Sequence, residues 1–178
     1  MRISLHSTCH KTFLLLSLFF LMGCEVKQPT PLENIRQINQ LTAMLIGLDT
    51  ERVDRDEAKD LAQRGILYAQ KLAKEYEVIS PPFWQNTLVN FGIKKRGLCY
   101  EWADDLLAFF SQKRYRTLFI HKVSANIGQL NEHNALSVSL RNRSIEKSIL
   151  LDAWRNSGNL FFIQIEEDKK YRWSERLY

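Results

Sequence analysis

Arg96-Gly97-Leu98-Cys99-Tyr100-Glu101-Trp102-Ala103-Asp104-Asp105-Leu106-Leu107 places a thiol at the start of a helix and follows it with an apolar stripe. From Cys99 onward, Trp102, Ala103, Leu106, Leu107, Phe109 and Phe110 recur at helical spacing, so the sulfur belongs to the first turn of a buried helix. Gly97 permits a tight turn into it. A helix start carries unpaired backbone N–H groups and the positive end of the helix dipole, and both favour the thiolate that attacks carbonyl carbon. Cys99 is therefore a candidate nucleophile. Glu101, Asp104 and Asp105 suit a helix start, but their charge would oppose thiolate formation if it faced the sulfur. A partner base is needed.

Upstream of this stretch the pattern is helical. Leu32 to Leu48 carries Ile35, Ile38, Leu41, Leu45 and Leu48 at spacings of three and four, which predicts an amphipathic helix. Asp54 with Glu57 three residues on predicts a capping box for a second helix, whose stripe is Ala58, Leu61, Ala62, Ile66, Ala69, Leu72, Ala73 and Tyr76. Ser80-Pro81-Pro82 stops that element and predicts a short helix with Ser80 as its cap, carrying Phe83, Trp84, Leu88 and Val89 and ending near Gly92. Downstream of about Gln112 the period changes to two. Thr117 to Ser124, Ala135 to Leu140, Ser148 to Leu151 with Asp152 at its end, and Leu160 to Ile165 each read as strands joined by short polar connections. The predicted fold class is α+β, with N-terminal helices followed by a mainly antiparallel sheet. No internal repeat, glycine-rich phosphate loop or second domain is visible in the pattern.

Three local contexts stand in order along this framework: Gly97-Leu98-Cys99 opening a helix, Glu132-His133-Asn134-Ala135 opening a strand, and Leu151-Asp152-Ala153-Trp154 closing one. An imidazole can take the thiol proton to give a thiolate–imidazolium pair, and a carboxylate can hold the ring and stabilise its charge. From Trp84 to Trp154 the chain resembles the transglutaminase-like cysteine protease superfamily. In that family a Gly-x-Cys starts the core helix, a histidine opens a strand and an aspartate ends the next. The resemblance implies a transglutaminase-like (papain-like) core, with Cys99 as nucleophile, His133 as base and Asp152 as the orienting acid. Two departures stand out: Ala153-Trp154 follows the aspartate where proline is common, and Asn134-Ala135 follows the histidine where Ala-Trp is common. His121 competes for the role of base, but it lies inside Leu118 to Val123, where a histidine usually packs as a strand residue. Candidate oxyanion donors are the Cys99 backbone N–H and, upstream, a side chain from among Trp84, Gln85, Asn86 and Asn90.

The N-terminus reads as a targeting segment. Arg2 and Lys11 are basic, Phe13 to Met22 is apolar apart from Ser17, and the run is too short to span a membrane. Leu21-Met22-Gly23-Cys24 resembles the lipobox of bacterial lipoproteins. That resemblance implies residues 1–23 as signal peptide, Cys24 as the lipidated first residue, 24–31 as lipidated cysteine and tether, and 32–178 as one domain. It also implies a cell-envelope location facing the periplasm, and Glu25 after the cysteine points to the outer membrane. Of the three cysteines, Cys9 then leaves with the signal and Cys24 carries lipid, so Cys99 is the remaining thiol. In an oxidising compartment a lone thiol is a liability unless chemistry requires it.

Loss of the signal lowers Lys+Arg from 25 to 23 against 20 acids, a mildly basic balance of about +3. The charges are interspersed and no nucleic-acid-binding motif occurs, which argues against a nucleic-acid partner. Two histidines and one thiol in separate segments lack metal-ligand spacing, so no metal and no cofactor are expected. Two readings follow. One is an envelope lipoprotein whose Cys-His-Asp site hydrolyses amides or transfers acyl groups on a protein or peptide substrate. The alternative is a non-catalytic module of the same fold that binds or scaffolds an envelope partner.

Overall fold

The computed structural model describes residues 26–176, so Cys24, expected to carry lipid, and the expected signal segment lie outside the described residues. Four helices come first: α1 (Pro31–Ile46), α2 (Arg55–Glu75), α3 (Pro82–Asn90) and α4 (Cys99–Ser111). Five strands follow: β1 (Leu118–Ala125), β2 (His133–Leu140), β3 (Ile149–Asp152), β4 (Phe161–Gln164) and β5 (Ser174–Glu175). They form one antiparallel sheet in the order β4-β3-β2-β1-β5. The α+β arrangement of helices followed by an antiparallel sheet is the one the periodicity predicts. Among the described residues no helix is long and apolar enough to cross a membrane.

Strand alternation gives the sheet two faces with different neighbours. Leu136, Val138 and Leu140 of β2 join Trp102, Leu106 and Phe110 of α4 and the inner stripe of α2 in the main core. On the opposite face Ala135 packs with Val123, Leu150 and Ile165 under Phe161, Ile163 and Trp173. Every residue of β2 is buried. Central position explains this, since β2 has a strand on each side and packing on both faces.

Small residues bring α2 close to its neighbours. A methyl at Gly65 would lie 3.1 Å from the Phe110 ring, so the glycine sets the approach of α2 to α4. Gly158, with φ +94°, closes the turn after β3, and a methyl there would fall 2.4 Å from Ala73 Cβ and 3.1 Å from the Ala69 carbonyl oxygen. That turn presses on α2 and thereby fixes the end of β3 where Asp152 stands. Such an approach tolerates only glycine, on both conformational and steric grounds.

Local signals differ from the sequence expectation at four places. The complete capping box belongs to α1, where Thr30 Oγ1 accepts from the Glu33 N–H and Glu33 accepts from the Thr30 N–H. Pro31, assigned to the tether, is the first helical residue, and Val26 already packs on the core. At α2, Asp54 caps the N–H groups of Asp56 and Glu57, but Glu57 turns away and accepts from the Arg116 N–H and from Thr117 N and Oγ1. A carboxylate with three donors from the β1 approach serves tertiary structure better than a reciprocal cap. The α3 cap is Pro81 rather than Ser80, with no side-chain bond. On that helix the buried side chain is Gln85, while Phe83 and Trp84 are exposed. The two-residue β5 carries no periodicity and was not expected.

Candidate active site

The thiol wall of the site is built from local contacts. Gly97 has φ +129°, and a methyl there would lie 2.7 Å from Gln85 Cγ. Glu101 folds back so that Oε2 accepts from the N–H groups of Gly97 and Leu98 at 2.7 and 2.9 Å. Trp102 Nε1 donates to the Gly97 carbonyl oxygen at 3.1 Å. These bonds lock the turn and leave the Cys99 N–H, at the first helical position, without an intrahelical acceptor. The acids that would oppose a thiolate are each engaged elsewhere. Glu101 pairs with Arg96, Asp105 accepts from Tyr76 and pairs with Arg96, and Asp104 pairs with Lys122.

Cys99 meets β2 at its first residues, so its sulfur is reached from both faces of the strand. It lies half-buried, 3.7 Å from the Glu132 carbonyl oxygen and 4.0 Å from Asn134 Nδ2. His133 stands on the face away from the helices, and its Nε2 bonds Asp152 Oδ2 at 2.7 Å. With Nε2 committed, Nδ1 is the nitrogen left for the thiol. Burial pushes the Cys99 thiol up. The hydrogen bond to His133 and the imidazolium charge outweigh it, aided by the backbone and side-chain amides of Asn134, and the net result is a thiol below its ordinary value. Burial likewise opposes the charged ring, but Asp152 and then Cys99 hold the proton and push His133 up to about 9. A lowered thiol beside a raised imidazole is the signature of a thiolate–imidazolium pair.

The imidazole wall is long-range. Asp152, 1 % exposed, also accepts from the Arg155 N–H and from Arg155 Nε, both at 3.0 Å. Arg155 then grips Asp168 through two bonds of 3.2 and 2.7 Å, and Asp168 accepts from Trp173 Nε1 at 2.9 Å. This chain ends on a strap, residues 165–176, that crosses the site. Tyr171 and Trp173 of the strap and Trp154 surround the His133 ring at centroid distances of 4.7, 5.4 and 4.8 Å. Two further clasps hold the strap: Glu175 with His121, and Arg176 with Glu132. Tyr171 and Trp173 also line a cavity of about 890 Å³ together with Asn126, Ile145, Asp168 and Lys170.

The structure thus brings Cys99, His133 and Asp152 together. His121 is elsewhere engaged: buried in β1, its Nδ1 bonds Glu175 and its Nε2 bonds Ser139 Oγ at 2.7 Å. Of the upstream oxyanion candidates, Gln85 must be corrected. Its Nε2 donates to the Arg96 carbonyl oxygen at 2.8 Å and the Tyr76 carbonyl oxygen at 3.4 Å, and its Oε1 accepts from the Ile79 N–H. One amide hydrogen is spent on the turn before Gly97 and the other on the end of α2. Asn86 Oδ1 accepts from Trp154 Nε1 at 2.9 Å, Trp84 is exposed with its ring edge-on to Phe83, and Asn90 is exposed at the end of α3.

Sequence reasoning missed Asn134, Arg155, Asp168, Tyr171 and Trp173. The signal for Asn134 was its place beside His133; nothing local marks the strap residues. Among the described residues no group of three or more His, Cys, Asp or Glu side chains could hold a metal ion. No family model, curated protein or solved structure matches the chain.

Proposed function

We propose that this chain is a membrane-anchored envelope lipoprotein whose Cys99-His133-Asp152 site catalyses amide hydrolysis or acyl transfer through a thioester. The observation that carries the reading is the convergence of a half-buried thiol at the start of α4, a buried imidazole at the start of β2 and a buried carboxylate at the end of β3, with the last two bonded at 2.7 Å. The resemblance of the Gly97-Leu98-Cys99, His133 and Asp152 contexts to the transglutaminase-like superfamily supports it, as does the helix-then-sheet order. Cys99 Sγ attacks the carbonyl carbon, the C–S bond forms, and the carbonyl electron pair moves to oxygen. As the tetrahedral species collapses, the C–N bond breaks and the His133 proton passes to the leaving amine. Water, or an amine in the transferase version, then attacks the thioester with His133 as base and regenerates the thiolate. Asp152 acts through the imidazole as a positioning residue, while Trp154, Tyr171 and Trp173 exclude water from it.

The test uses p-nitrophenyl acetate, which acylates nucleophilic thiols and releases p-nitrophenolate. The wild-type protein is expected to release a burst and to carry an acetyl group on Cys99 by mass spectrometry, and Cys99→Ser is expected to do neither. That substitution should leave stability within about 1 kcal/mol, because the thiol is only half-buried. A wild-type thiol that reacts no faster than a free cysteine moves the assignment to a non-catalytic binding module. The anchor has its own test. Cys24→Ala should release the protein from the membrane fraction, and unchanged membrane association would overturn the lipoprotein assignment.

A further inference from the structure

We propose that the Asn134 side-chain amide is the second oxyanion donor of the site, acting with the Cys99 backbone N–H. The inference rests on the acyl-transfer reading and supplies a side-chain donor beside the sulfur, a role for which the Gln85 amide is already spent. Asn134 follows His133 on β2, so alternation turns it toward the helix face while the imidazole lies on the other, and the sulfur stands between them. Buried at 5 % exposure, its amide is oriented by partners with one possible role each. Arg176 can only donate, and its Nη1 lies 3.4 Å from Asn134 Oδ1. The Glu132 carboxylate can only accept, and its Oε1 lies 3.4 Å from Asn134 Nδ2. Ser124 Oγ, fully buried, completes the hold on Oδ1 at 2.7 Å. The NH₂ end therefore faces the sulfur.

The distance carries the argument further. At 4.0 Å, Nδ2 is too far for a strong bond to sulfur. An oxyanion formed on the attacked carbon would sit between the two, and a donor must stand about 2.7–3.1 Å from that position. The amide is thus spaced for the oxygen of the tetrahedral species rather than for the resting thiol. The Cys99 N–H supplies the other donor from the helix start.

Two reagents separate the roles. Iodoacetamide alkylates the thiolate by displacing iodide at a saturated carbon and forms no oxyanion. Acylation by p-nitrophenyl acetate passes through a tetrahedral oxyanion before p-nitrophenolate leaves. In the full-length protein, Asn134→Ala is expected to lower the acylation rate about 100-fold, while the high-pH plateau of alkylation stays within a few-fold of wild type. Ser124→Ala, which keeps the amide but frees its carbonyl end, should give a smaller loss of the same selective kind. Parallel loss of both rates, or unchanged acylation, overturns the proposal. Should Asn134→Ala lose its fold by circular dichroism, Ser124→Ala decides alone on the same criterion. A wild-type Cys99 that alkylates but is never acylated instead removes the acyl-transfer reading itself.

Discussion

The two walls of the site are built by different physics. The thiol wall is apolar and close in sequence: Trp102 and Phe110 fully in the core, Gly97 held by Gln85, and Glu101 capping two amides within four residues of itself. The imidazole wall is charged and distant: Asp152 to Arg155 to Asp168, Glu132 to Arg176, and His121 to Glu175 tie β1, β2 and β3 to the C-terminal strap. Packing on the first side fixes where the sulfur is; Asp152 on the second favours the charged ring, and the other clasps hold the strap over it. The position of the thiol and its ionisation therefore have separable structural origins.

His133→Ala makes the sharpest cut between them. It should leave Cys99 in place but return its ionisation toward the free-thiol value of about 8.5, read from iodoacetamide alkylation against pH. In the wild-type protein the alkylation should be half-maximal at a lower pH than in His133→Ala, and acyl transfer should fall as pH rises through about 9, where the imidazolium loses its proton. A thiol titrating identically in both proteins would break the assignment of activation to the imidazole wall.

Gly158→Ala probes the apolar side. A methyl driven to 2.4 Å from Ala73 Cβ at a positive φ should cost about 2–4 kcal/mol, measured by urea unfolding. A loss below about 0.5 kcal/mol, the scale of a surface change, would show that the turn after Asp152 is not pinned to α2.

Arg155→Met asks whether the clasp sets charge or only shape. Removing the cation beside Asp152 leaves the carboxylate with His133 and the backbone N–H of residue 155, so the imidazolium should be held to higher pH and the alkaline limb should move upward. A downward shift would mean that Arg155 acts mainly by holding Asp152 in reach of the ring. Glu175→Gln should be the mildest change. It weakens the strap's hold on His121 by about 1 kcal/mol and should leave Cys99 reactivity unaltered, which thermal denaturation and alkylation together would check.

Periodicity made the helices legible because each buries one stripe against the core, and the stripe of α2 from Ala58 to Ala73 is nearly the observed buried set. Strand order along the chain followed from the change to period two. The same rules failed where a side chain served distant backbone. Gln85 was a candidate oxyanion donor in sequence, yet it is buried with its amide satisfying three backbone groups at Tyr76, Ile79 and Arg96. Glu57 looked like a helix cap and instead anchors Thr117.

By itself the sequence determined the thiol at a helix start, the α+β order, and the succession of cysteine, histidine and aspartate contexts, since each depends on residues a few positions apart. Only the tertiary structure decided that His133 rather than His121 faces the sulfur, that Asn134 points its amide there, and that a strap from 165–176 closes over the ring. The contact of Asn134 with the sulfur spans 35 residues of chain. No local pattern encodes such contacts, because strand register and the pairing of buried charges become defined only once the sheet is assembled.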